Sequence, residues 1–293
     1  MPTILITGAN GQLGQELSTI LTGNDEWQVD LTDKEELDIT NHLAVGSYFA
    51  ELDDLRYVIN CAAYTAVDKA EEQVELAHAI NMNGAQNLAR SAKEVGAQMI
   101  QISTDYVYHS EQNFPFKEGD ETNPKSVYAS TKLAGDNYVQ RAHPMAMIIR
   151  TSWVYSSFGH NFVKTMLRLG RERDSLGIVF DQIGTPTYAR DLAKVIIDII
   201  NKVEKGEVER EKMAGVFHFS NEGVTSWYDF ALAIFDKEKI TCNVSPIETK
   251  DYPTPAKRPP FSVLNKSKIK DTFGVDIRHW RTGLDDCLRL LRL

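Results

Sequence analysis

The sequence predicts an α/β protein, a doubly wound parallel sheet with a smaller C-terminal α/β substrate domain. Three observations predict it. Short β-branched apolar runs alternate with helical stretches through the first half of the chain, as in parallel strands covered on both faces. Gly8-x-x-Gly11-x-x-Gly14 sits directly between the first such run and the first helical stretch. Beyond about residue 150 the alternation becomes less regular. The expected division is 1–151, with 178–202 returning to it, for the first domain, and 152–177 with 203–293 for the second.

Thr3 to Thr7 reads as a buried strand, and a helix follows through Leu21. Glycines between them permit a tight turn and close approach of a pyrophosphate, and the helix N-terminus supplies N–H groups to phosphate. The plain alternative is a glycine turn without a ligand. Gly8, Asn10, Gly11, Gln12, Leu13 and Gly14 are the candidate residues, and the layout is Rossmann-type. Trp27 to Asp30 reads as the end of the second strand. Asp30 falls near the ~20-residue offset of an acid that binds the adenosine ribose. Such an acid disfavours a 2′-phosphate and leans toward NADH.

Tyr57 to Cys61 is the next strand, and it runs into Ala62, Ala63, Tyr64 and Thr65. Small residues there suit a chain passing beside a cofactor, although tight packing alone favours alanine too. Glu71 to Val95 has the apolar spacing of one long helix. Gln98 to Ile102 is a strand ending in the hydroxyl pair Ser103-Thr104, with Asp105 next. Tyr128 and Lys132 lie one turn apart if their segment is helical, with Pro124 near its start. An ammonium beside a phenol lowers the tyrosine pKa from its reference near ~10, which makes a usable proton donor. Met147 to Arg150 is a further strand, leading to Trp153. Asn161 to Arg173 and Arg190 to Lys202 read as helices. His218 reads as a packed strand histidine. Thr225-Ser226 caps a helix through Phe235. Four prolines between Asp251 and Pro260 stiffen a loop that carries Lys257 and Arg258.

The 293 residues are 42% hydrophobic and 25% charged, with a net charge of −9. This acidity argues against nucleic acid or an anionic membrane as the main partner. No apolar run approaches the ~20 residues of a membrane span. Three scattered cysteines and no clustered histidines point to free thiols in a reducing cytoplasm and to no metal.

Together these motifs resemble an extended short-chain dehydrogenase/reductase. The likeness is closest to the dTDP-4-dehydrorhamnose reductase branch, and it covers nearly the whole chain. It rests on the glycine motif, Ala62 to Glu71, Ser103 to Tyr108, Tyr128-x-x-x-Lys132, Arg150 to Tyr155, Asp181 to Thr187 and Pro255 to Pro259. The resemblance implies NADPH or NADH as cofactor and a dTDP-sugar as substrate. It also implies reduction of the C4 keto group of dTDP-4-dehydro-L-rhamnose. It makes Tyr128 the general acid, has Lys132 bind the nicotinamide ribose, and has Thr104 bond the carbonyl oxygen. By position it assigns Asn10, Gly11, Gln12, Asp30, Asp38, Ile39, Ala62, Ala63, Tyr64 and Thr65 to the cofactor, and Thr104, Asp105 and Trp153 to the substrate. Arg258 is an added candidate for the diphosphate, because a guanidinium on a stiff loop suits it.

The sequence departs from the branch at His109-Ser110, where Asp-Gly is common. Arg190 stands where one acid of a magnesium-bridged dimer would fall, so a monomer or a metal-free homodimer is expected. Two alternatives are another nucleotide-sugar reductase or epimerase, and a non-catalytic regulatory chain of the same fold. Tyr106 replaces the glutamate that dehydratases carry after Thr-Asp.

Overall fold

The computed structural model describes residues 1–292. Strands β1 (Thr3–Thr7), β2 (Gln28–Thr32), β3 (Leu55–Asn60), β4 (Gln98–Thr104) and β5 (Met147–Thr151) join Gly215–His218 in one parallel six-stranded sheet. Its order is Gly215–His218, β5, β4, β3, β1, β2. The direction of winding reverses between β1 and β3, so a crevice opens beyond their C-terminal ends. Alternating side chains fill the two sides of the sheet. Ile4 and Ile6 join one core and Leu5 the other, because successive strand residues face opposite ways. Burying each such side chain is worth about 1.5–3 kcal/mol.

Helix α1 (Gln12–Leu21) buries Leu13, Leu17 and Leu21 on one face, against the helix Ala189–Glu204. The other face of the sheet is covered by His42–Glu51, Ala85–Glu94 and Val127–Ala142. A third core gathers Val163, Phe230, Trp280 and Leu284. Around it lie two-stranded pairings of Ser175–Val179 with Asn243–Ile247, Ile183–Gly184 with Thr225–Ser226, and Val154–Tyr155 with Thr187–Tyr188. The strand Gly215–His218 falls in the stretch expected on the substrate side, yet it hydrogen-bonds to β5 in the main sheet.

Two elements differ from expectation. β2 ends at Thr32, so Asp30 lies mid-strand opposite Leu5. The long helix expected over Glu71 to Val95 is broken into Val74–His78, a π-helical turn at Ala79–Gly84, and Ala85–Glu94. Asn81, Asn83 and Gly84 are poor helix formers, and tertiary contacts of Asn81 hold the wider turn. No helix among the described residues is long and apolar enough to cross a membrane.

Candidate active site

A cavity of about 890 Å³ lies at the C-terminal ends of β1, β3 and β4. Its floor is the glycine turn. Gly8 has φ +68°, and a Cβ there would sit 2.6 Å from the Ala62 nitrogen. Only glycine lets the β1 and β3 loops close together at this point. α1 begins at N-cap Gly11 with no side-chain cap and no acid in its first turn, so its first N–H groups remain available. That cradle fits a dinucleotide pyrophosphate. Gly8, Gly11, Gln12, Leu13, Asp38, Ile39, Ala62, Ala63 and Thr65 line the cavity.

At its other end the cavity is lined by Thr104, Asp105, Tyr128, Lys132 and Trp153. Ser126 caps the helix Val127–Ala142 by accepting from the Ala129 nitrogen, which fixes where Tyr128 and Lys132 project. Lys132 is 2% exposed and donates Nζ to the Ile102 carbonyl at 2.7 Å. The Thr104 hydroxyl donates to Asp105 Oδ1 at 3.2 Å. Burial pushes the Asp105 carboxyl up to about 7, and its Oδ2 is buried without a protein partner. The Tyr128 phenol corrects the expectation drawn from its lysine neighbour. Burial pushes it up to about 12, Asp105 and Asp136 add to the rise, and the Thr104 hydroxyl opposes it. The Lys132 ammonium is occupied with the Ile102 carbonyl instead.

Five residues chosen from sequence stand elsewhere. The Asp30 carboxylate accepts from the Tyr48 hydroxyl at 2.8 Å, outside the cavity. Its place at the end of β2 is taken by Asp33, whose Oδ2 accepts from the Asn10 nitrogen at 3.1 Å, and by Lys34. Both line the cavity. Asn10 lines a smaller adjoining hollow. Gly14 is buried behind the turn. Tyr64 lies off the cavity wall, and its backbone N–H donates to Asn81 Oδ1 at 2.8 Å. Arg258 is engaged by Asp68, with Nη2 to Oδ2 at 2.7 Å and Nη1 to Oδ1 at 3.1 Å. The proline loop is thereby fastened to the short helix Val67–Ala70.

The structure adds residues that sequence reasoning missed. Trp227 stacks on Trp153 with centroids 3.5 Å apart, and Trp153 holds a left-handed φ of +48°. Such strain persists where surrounding structure enforces it. Tyr106 meets Tyr128 edge-on at 5.8 Å, and His160 lies on the cavity rim. Asn81, in the π turn, donates Nδ2 to the Tyr64 carbonyl at 3.2 Å and to Thr131 Oγ1 at 3.1 Å. It thus links the cofactor-side loop to the helix of Tyr128. The run Asn81-Met82-Asn83-Gly84, unfit for a regular helix, was the available signal. Among the described residues there is no group of three or more His, Cys, Asp or Glu side chains able to hold a metal ion.

A glycine cradle leading to a Tyr-x-x-x-Lys pair in one cavity defines a cofactor-dependent oxidoreductase of the extended short-chain dehydrogenase/reductase class. The chain belongs to the family described as RmlD substrate binding domain, whose model matches residues 2–293. It is 43% identical over 292 residues to a dTDP-4-dehydrorhamnose reductase of Aggregatibacter actinomycetemcomitans, covering 97% of each chain. A solved dTDP-4-dehydrorhamnose reductase from Clostridium acetobutylicum is 47% identical, with a TM-score of 0.93, and the match covers 99% of this chain and 100% of that one. The Bacillus anthracis reductase, solved in complex with NADP, is 37% identical with a TM-score of 0.92 over 99% and 100%.

Proposed function

We propose that this chain reduces the C4 keto group of dTDP-4-dehydro-L-rhamnose to give dTDP-L-rhamnose, for cell-surface polysaccharide synthesis. The observation that carries the reading is the meeting of Thr104, Tyr128 and Lys132 in one cavity with the glycine cradle. When bound, the reduced nicotinamide supplies the hydride. As negative charge grows on the C4 oxygen, the Thr104 hydroxyl stabilises it and Tyr128 Oη delivers the proton. A phenol held near 12 is fully protonated at neutral pH, and an alkoxide is the stronger base, so the transfer runs downhill. Tyr128 then recovers a proton from solvent. The Lys132 ammonium would hold the nicotinamide ribose, and Trp153 on Trp227 offers a flat apolar wall to sugar or base. Asp105 bonds the sugar through its free oxygen.

NADPH is accepted along with NADH. With Asp30 turned to Tyr48, its charge does not guard the ribose, and Lys34 stands at the end of β2 for a 2′-phosphate. Arg258 is paired with Asp68 and serves the diphosphate only if that pair opens. We assign the chain to the cytoplasm, as a monomer or homodimer; its three free cysteines support the reducing compartment.

The test is a coupled assay with enzymatically made dTDP-4-dehydro-L-rhamnose and each cofactor. The expected outcome is substrate-dependent cofactor oxidation with dTDP-L-rhamnose as product. Cofactor binding without oxidation would instead indicate a non-catalytic binding chain.

A further inference from the structure

Asp136 stands one turn beyond Lys132 on the helix face that carries Tyr128. Its side chain is 1% exposed. Oδ2 accepts from Ser103 Oγ at 2.7 Å and from Arg150 Nε at 3.3 Å. Oδ1 is buried and has no protein partner. Lys132 meanwhile bonds the carbonyl of Ile102. Ile102, Ser103 and Thr104 are consecutive at the end of β4, so Lys132 and Asp136 hold adjacent residues of the strand that delivers Thr104.

An ammonium in so dry a site is costly unless an anion compensates it. Burial drives the Lys132 pKa down, and Asp136 is the strongest influence raising it, followed by Cys61. The charged and titratable groups around the pair come from every neighbouring element. Cys61 follows β3, Asp105 follows β4, Arg150 lies on β5, and Tyr128 shares the helix. Behind Arg150, Nη1 donates to the Tyr108 hydroxyl at 2.7 Å, and Tyr108 contacts His218, which burial keeps neutral. Asp136 is the carboxylate paired with Arg150 and lies one helical turn from Lys132, so two cations draw on its charge.

We propose that Asp136 is a positioning residue that keeps the Lys132 ammonium charged and aimed into the cavity, sharing its own charge between Lys132 and Arg150. The inference rests on the reductase reading, in which that ammonium faces the nicotinamide ribose. Asp136 touches neither cofactor nor substrate and acts through Lys132.

The experiment measures NADPH affinity by cofactor fluorescence, and kcat/KM for the sugar, across pH for the wild type, Asp136→Asn and Arg150→Met. In Asp136→Asn the alkaline limb of both profiles should move about one unit toward acid, so affinity on the alkaline side falls about tenfold. In Arg150→Met the limb should move the other way, because Asp136 then serves Lys132 alone. Asp136→Glu should restore most of the wild-type profile. Limbs that stay in place, or that move in the same direction in both variants, overturn the proposal. If Asp136→Asn does not fold, the direction of the Arg150→Met shift decides alone. A wild type that binds NADPH but never oxidises it would refute the reductase reading, while the affinity profile would still report on Lys132.

Discussion

At the scale of single residues, the chemistry converges on two protonation states. Tyr128→Phe keeps the ring that packs on Tyr106 but loses the transferable proton. Turnover should fall by about two to four orders of magnitude with cofactor affinity unchanged, as steady-state kinetics and fluorescence titration would register. Asp105 gives a stability prediction of definite sign. Its folded pKa is raised, from 3.8 to about 7. Its proton therefore stabilises the fold at low pH, and that stabilisation is lost as pH rises through about 7. Asp105→Asn removes the ionisation, so it should melt above the wild type at alkaline pH, by a difference of order 2 kcal/mol that closes toward pH 4. The same variant should bind the sugar less well, since stability and function trade off at such sites. An offset that does not vary with pH would reject this account. Tyr128, Lys132 and Thr104 were legible in the sequence because each sits in a short local pattern. Trp227, His160 and Lys34 were not, because only tertiary folding brings them to the cavity. Asp30 misled because an offset along the chain does not say where β2 stops.

At the scale of elements, the proline loop and the short helix Val67–Ala70 act as one piece through Asp68 and Arg258. Arg258→Ala and Asp68→Ala should each raise the sugar Michaelis constant, by a similar factor of about ten. Both should leave NADPH affinity nearly unchanged. The pair is half-exposed, so each variant should lose no more than about 1 kcal/mol of stability. If Arg258 met the diphosphate directly, Asp68→Ala would free it and lower that constant, and kinetics on the two variants separate the cases. The strands of the main sheet were readable because buried parallel strands are continuous apolar runs. The pairing of Ser175–Val179 with Asn243–Ile247 was not, since both are half-exposed and distant in sequence.

At the scale of the whole molecule, the cavity draws on both the sheet ends and the third core, so ligands should bind the folded chain and not the unfolded one. NADPH at a hundredfold excess over its dissociation constant should add about 2.7 kcal/mol of stability. For a chain of this size that raises the melting temperature by about 4–5 °C. Lys34→Ala should shrink the shift with NADPH and leave the shift with NADH in place. Equal losses with both cofactors would remove Lys34 from any part in their discrimination. The change in alternation near residue 150 coincides with the end of the first five strands of the main sheet at Thr151. The return of Gly215–His218 to the main sheet was not legible, because a four-residue strand carries no mark of its partner.

The π turn at Ala79–Gly84 carries a surplus residue, and the phase of the surrounding helix depends on it. Deleting one residue there would let a regular helix form, at first sight an improvement. Each residue of a regular helix advances the face by about 100°, so everything on one side of the deletion would turn by that amount against the other. Asn81 would swing away from Tyr64 and Thr131, or else Leu88, Ala89 and Ala92 would leave the core. The irregular turn works as a gear tooth that keeps two faces of one rod in mesh with different partners, one with the sheet and one with the cavity wall. A chain made more helical at this point would be mistimed, with its apolar stripe and its asparagine no longer able to engage together.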